Sequence, residues 1–130
     1  LSAAPEFTPV TFSVSPPKAG IIKMGMFEKS RQVFRNWDLE AFRDLHHEDF
    51  FFIRETELLT LDEHVENIAR LVETTNILER VLQQTLIHEN EHITEIRWQE
   101  GNEVVTNVML KREDDKIWRS IVIRNPLKSL

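Results

Sequence analysis

The stretch from Val33 to Ile68 reads as the end of one helix, a second short helix, a strand pair and the start of a third helix. This succession constrains the fold more than any other feature of the chain. Met26, Ser30, Val33, Phe34 and Trp37 keep helical spacing and share one face, which makes that face a core face. Ser30 is its only polar member, and a hydroxyl there either bonds back to the preceding turn or points into a cavity. Asp38 is a good N-cap for the second helix, in which Leu39, Phe42, Leu45 and His46 fall on one stripe, so His46 is expected to face inward. Phe50-Phe51-Phe52-Ile53 reads as a buried strand with Glu57 to Leu59 returning beside it. Thr60-Leu61-Asp62-Glu63 then has the capping-box pattern, and the helix it opens carries Leu61, Val65, Ile68, Ala69 and Val72 as its apolar stripe.

The remainder reads as a meander of four antiparallel strands near residues 78–88, 91–99, 103–112 and 116–124, with turns at Glu89-Asn90, Gly101-Asn102 and Asp114-Asp115. Apolar residues occur on both faces, Val104 and Val108 against Val105 and Met109. One face can cover the helices; the other then needs its own cover, and a homodimer through the sheet supplies it. Residues 1–20 hold four of the five prolines, and Pro16-Pro17 forbids a helix there. They read as an arm in which Val10, Phe12 and Val14 alternate, which suits an edge strand, packing on a neighbouring subunit or a mobile tail. Residues 21–130 are expected to be a single domain.

At 130 residues with 41% hydrophobic side chains, the chain can bury a real core. A formal net charge of -6 leaves no basic footprint for nucleic acid or an anionic membrane. No run of about 18 apolar residues is present, and no charged-then-apolar leader opens the sequence, which starts on Leu1 with Met24 and Met26 as plausible native starts. There is no cysteine, hence no disulfide or thiol nucleophile, which suits a reducing, cytoplasmic setting.

Among motifs, His88-Glu89-Asn90-Glu91-His92 matches the H-E-x-x-H zinc protease pattern, whose chemistry needs a helix to bring both imidazoles to one face. Its flanks, Gln84 to Ile87 and Ile93 to Ile96, prefer strands, so the match is read as accidental and no metal is expected. His46-His47-Glu48-Asp49 is a second polar cluster, but adjacent side chains on a helix do not share a face. Arg54 follows the buried strand directly: turned inward it needs a carboxylate or a ligand anion, turned outward it pairs with Glu57. Asn107 interrupts an apolar strand and either donates to a ligand oxygen or joins a core network. Phe34, Trp98, Trp118 and Met109 are apolar wall or ordinary core. No Gly-rich phosphate loop and no serine in a nucleophile elbow is present.

The order of elements, together with Asp38-Leu39-Glu40-Ala41-Phe42, the Leu45 to Asp49 segment before a strand and the Thr60 to Ile68 helix start, resembles the NTF2-like superfamily, and within it the SnoaL-like and ketosteroid-isomerase-like branch. The resemblance covers about residues 21–126. It implies an α+β cone in which a curved antiparallel sheet wraps around three N-terminal helices, a pocket for hydrophobic small molecules, and dimers through the sheet. Laid on ketosteroid isomerase, Arg54 falls where that enzyme has its carboxylate base, Ser30 at the oxyanion tyrosine, Asn107 near the protonated aspartate and His46 at a pocket tyrosine. The chain contains no tyrosine, so that mechanism is not expected. The implied function is a pocket for a small, largely hydrophobic ligand with an anionic or carbonyl group. His46 would be acid or base, Arg54 the anion clamp and Asn107 the oxygen donor, with Ser30, Phe34, Met109 and Trp98 as further lining and no cofactor. Isomerisation, cyclisation or dehydration is the chemistry such a set would serve. The alternative is a non-catalytic dimeric interaction module whose cavity its own side chains fill.

Overall fold

The computed structural model describes residues 24–128, so the arm at 1–20 and its expected edge strand lie outside the described residues. Helix α1 (Met26–Arg35) is followed by α2 (Leu39–Asp44), the hairpin β1 (His46–Arg54) and β2 (Glu57–Thr60), then α3 (Leu61–Thr74) and the short α4 (Ile77–Val81). Strands β3 (Thr85–Glu89), β4 (Ile93–Glu100), β5 (Glu103–Lys111) and β6 (Ile117–Pro126) complete the chain of elements. All six strands belong to one curved sheet in the order β2-β1-β6-β5-β4-β3. This is the α+β cone expected from the sequence, with the helices held in the concavity of the sheet.

Local chemistry starts each helix where the sequence signals it. Asp38 accepts hydrogen bonds from the backbone of Glu40 and Ala41 at the head of α2. Thr60 and Glu63 form the reciprocal capping box of α3. Helix α1 has only Gly25 at its N-cap and no side-chain cap of its own. Glu89 reaches it from β3 instead: one carboxylate oxygen accepts from the Phe27 N–H at 2.9 Å and from the fully buried Thr94 hydroxyl at 2.7 Å. A Cβ at position 25 would overlap that carboxylate, so glycine is what lets the hairpin approach.

Three expectations change. Residues 77–81 are helical, not the start of a strand, because Ile77, Leu78 and Val81 pack with Phe34, Phe42 and Val65 in one core. A fourth helix therefore joins the three. His46 opens β1 and is not part of α2: the Leu45 carbonyl accepts from the Ile117 N–H at 2.9 Å, and His46 pairs with Ile117, so β6 captures the backbone at the end of the helix. Finally, β1 and β6 run parallel, while all other pairings are antiparallel. Between His46 and Phe51 the register shifts, four residues of β1 lying against one of β6. The bulge carries the exposed Glu48 and Asp49 out of the ladder.

The H-E-x-x-H segment spans the β3–β4 turn, with Asn90 accepting from the backbone of His92 and Ile93. The helix that zinc protease geometry requires is not there, and Glu89 is a helix cap. Glu89→Ala is expected to lower stability by about 1–2 kcal/mol, through the lost cap and a stranded Thr94 hydroxyl. Urea unfolding measures it. An unchanged midpoint would show that the carboxylate does not hold α1 to the hairpin.

Candidate functional site

Two cores form where the helices meet the sheet. One gathers Met26, Phe50, Ile96, Met109 and Ile117, the other Phe34, Phe42, Val65 and Val81. Between them a cavity of about 180 Å³ remains, lined from both sides. Its size is close to that of the apolar cavities of about 150 Å³ known to hold one benzene ring. It is below the range of roughly 300–1,000 Å³ that takes drug-sized ligands. The volume matches about one ring.

Ser30, Phe34, His46, Arg54, Trp98, Asn107 and Met109 all line this one cavity. The helical spacing of α1 puts Ser30 and Phe34 on its inner face, and alternation along the strands brings in the rest. Among the described residues no aspartate or glutamate lines it.

His46 is 6% exposed, and its Nδ1 lies 2.8 Å from the Phe42 carbonyl. A carbonyl can only accept, so Nδ1 carries the ring proton and Nε2 keeps a lone pair. The ring packs against Phe42 and Phe50 at 4.8 and 4.5 Å between centroids. Burial pushes its pKa down to about 4, partly offset by hydrogen bonding to the Phe42 and Arg43 carbonyls.

Sequence reasoning passed over His64, which is equally buried in α3 and stacks on Phe52 at 4.6 Å and 14°. Its ring lies 5.6 Å from that of His46, and its enclosed Nδ1 has no hydrogen-bond partner among the described residues. Burial, then the charge of His46, drive its pKa down to about 3. The signal was present: Leu61, His64, Val65 and Ile68 follow the spacing of one helical face.

Asn107 donates through Nδ2 to Ser120 Oγ at 2.7 Å and to the Ile121 carbonyl at 3.2 Å. The carbonyl fixes the amide orientation, so the amide hydrogens serve the sheet and only Oδ1 is left for a ligand. Of the two readings of this amide, its hydrogens follow the one in which it joins a core network. At the open end stand Arg54 and Arg124, which also line an outer depression with Glu55, Thr56 and Glu57. Arg54 pairs with Glu57 at 2.6 Å, as its outward alternative anticipated, yet it still borders the cavity. Arg124, not singled out from the sequence, pairs with Glu100 at 2.8 Å. Burial works to raise the Glu100 carboxyl and is outweighed by hydrogen bonds from Trp98 and Arg124 and by the charges of Arg124 and Arg80, so it stays below the ordinary range.

Both imidazoles are easier to protonate in the unfolded chain than in the folded one. Their contribution to stability is full above pH 6.5 and is lost as pH falls towards the folded values near 4 and 3. Between pH 6.5 and 5 the expected loss is about 1–2 kcal/mol per histidine. Urea midpoints across this range check it, with His64→Phe halving the slope; a flat profile would mean that neither ring is buried uncharged.

No family model and no curated protein matches the sequence. Solved structures do. An NTF2-like protein of unknown function from Burkholderia xenovorans LB400 superposes with a TM-score of 0.52 at 12% identity, over 81% of this chain and 84% of that one. A steroid delta-isomerase from Pseudomonas aeruginosa gives 0.52 at 11% identity, over 78% of each chain. An uncharacterised bacterial protein with a cystatin-like fold from Silicibacter pomeroyi DSS-3 gives 0.50 at 17%, over 78% of this chain and 74% of that one. At these identities the likeness is one of architecture, and the architecture is the NTF2-like cone.

Proposed function

We propose that the protein binds a small, largely hydrophobic organic molecule of about one ring inside the cone, in the manner of SnoaL-like proteins. The observation that carries this reading is a single one: a cavity left open between two cores and lined by buried polar side chains, His46, His64 and Asn107 among them. Trp37, a candidate plug for a self-filled cavity, packs on Phe34 and Phe42 instead, at 5.4 and 5.7 Å. Trp98 is tied back to Glu100 at 3.0 Å. Arg54 and Arg124 suit an anionic or carbonyl group at the mouth, where a ligand can compete with the exposed Glu57. His46 is the group for proton transfer in an isomerisation, cyclisation or dehydration. As a base weakened by burial, it favours binding over fast acid–base chemistry at neutral pH.

A homodimer through the sheet belongs to the same proposal. On the outer face Ile53 pairs with Ile121 and Ile121 with Val108, Ile123 is 49% exposed, and the ion-paired Glu95 and Arg97 border the stripe. An apolar centre with a charged rim is the anatomy of an interface. Among the described residues no helix is long and apolar enough to cross a membrane. Cytoplasmic placement stays part of the proposal and rests on the lack of cysteine.

Native mass spectrometry of freshly purified protein, followed by denaturation of the same sample, tests both parts. A dimer that releases a defined small organic mass is the expected result. A monomer would remove the interface, and failure of any one-ring compound to bind at millimolar concentration would remove the pocket. Ile123→Glu, on the exposed stripe, is expected to shift the dimer to monomer while changing the unfolding of the subunit by less than about 0.5 kcal/mol.

A further inference from the structure

We propose that His46 and His64 act as a donor–acceptor pair that reads a hydroxyl group on the ligand, so that the cavity selects a one-ring alcohol or phenol over molecules of equal size without one. This rests on the cavity being a ligand site. His46 holds its proton on Nδ1 against the Phe42 carbonyl, so its Nε2 can only accept. The nearby Arg43 carbonyl has no proton to give and does not satisfy that lone pair. His64 is enclosed at Nδ1 with no partner. An enclosed N–H without an acceptor is the more unfavourable arrangement, which puts the proton of His64 on Nε2. The two rings, 5.6 Å apart and inclined by 71°, both line the cavity. Together they present one N–H and one lone pair.

A hydroxyl answers both at once: its oxygen accepts from His64 and its hydrogen goes to His46. A carbonyl or ether oxygen accepts from His64 but leaves the His46 lone pair desolvated and unmatched, and a methyl group leaves both. A site built on such a match discriminates more sharply than an apolar wall does. The Asn107 amide hydrogens are engaged by Ser120 and Ile121, and Arg54 and Arg124 stand at the mouth with their glutamates, so none of these donates in place of His64.

The test titrates the full chain with phenol, toluene and benzaldehyde while NMR follows the ring nitrogens of His46 and His64. Phenol is expected to bind about tenfold or more tightly than either of the others and to move both imidazole signals. In His64→Phe the preference for phenol should vanish; if that variant does not fold, the nitrogen signals of the wild type decide alone. Equal binding of the three probes, or phenol binding with the imidazole signals unmoved, overturns the hydroxyl assignment and leaves the cavity a ligand site. Binding by none of the three overturns both.

Discussion

Side chains alternate along a strand, so β4, β5 and β6 each have only one row to offer the helices. In this sheet the row changes character along its length: Ile96 and Met109 belong to a packed core, Asn107 and Ser120 are polar and hydrogen-bonded to each other, and Arg124 ends in an ion pair. Helices can close over the apolar part and cannot close over the rest without stranding polar groups. The cavity is the result. It lies between the two cores, with its polarity rising towards Arg54 and Arg124.

The same constraint explains the state of the histidines. Aromatic neighbours on several sides, among them Phe42, Phe50 and Phe52, supply no counter-charge, so the uncharged rings are the stable ones. Neutral imidazole is a hydrogen-bonding group of fixed polarity rather than a proton pump. The arginines and glutamates at the mouth stand half in water, where their ion pairs carry modest energy.

What could be read from the sequence was what is locally encoded. Asp38, Thr60 and Glu63 announce their helices within three or four residues, and the triple phenylalanine run announces its strand. His46 was placed inward from a helical stripe and is inward on a strand, because position 46 faces the core under either period. Residues 78–81 read as strand in the sequence and fold as helix because so short a segment carries little propensity of its own, and its helix is stabilised by Phe34 and Val65 elsewhere in the chain. Glu89 capping Phe27 spans 62 residues, and the facing of Arg124 depends on the β1–β6 pairing; neither leaves a local trace. His64 did leave one, a polar residue at an apolar position of α3.

The parallel pairing has a consequence for how the molecule is assembled. Strand β6 sits between β1 and β5, so the hairpin formed early in the chain cannot join the β3–β5 meander until residues 117–126 arrive. Up to that moment the two halves share no ladder, and the apolar flank of β1 waits without its partner. Closing such a long loop is slow relative to hairpin formation and leaves sticky strand edges in the interim. A change in β6 would then act less like the loss of one wall than like the removal of a keystone, leaving two incomplete sheets prone to find edges in other molecules.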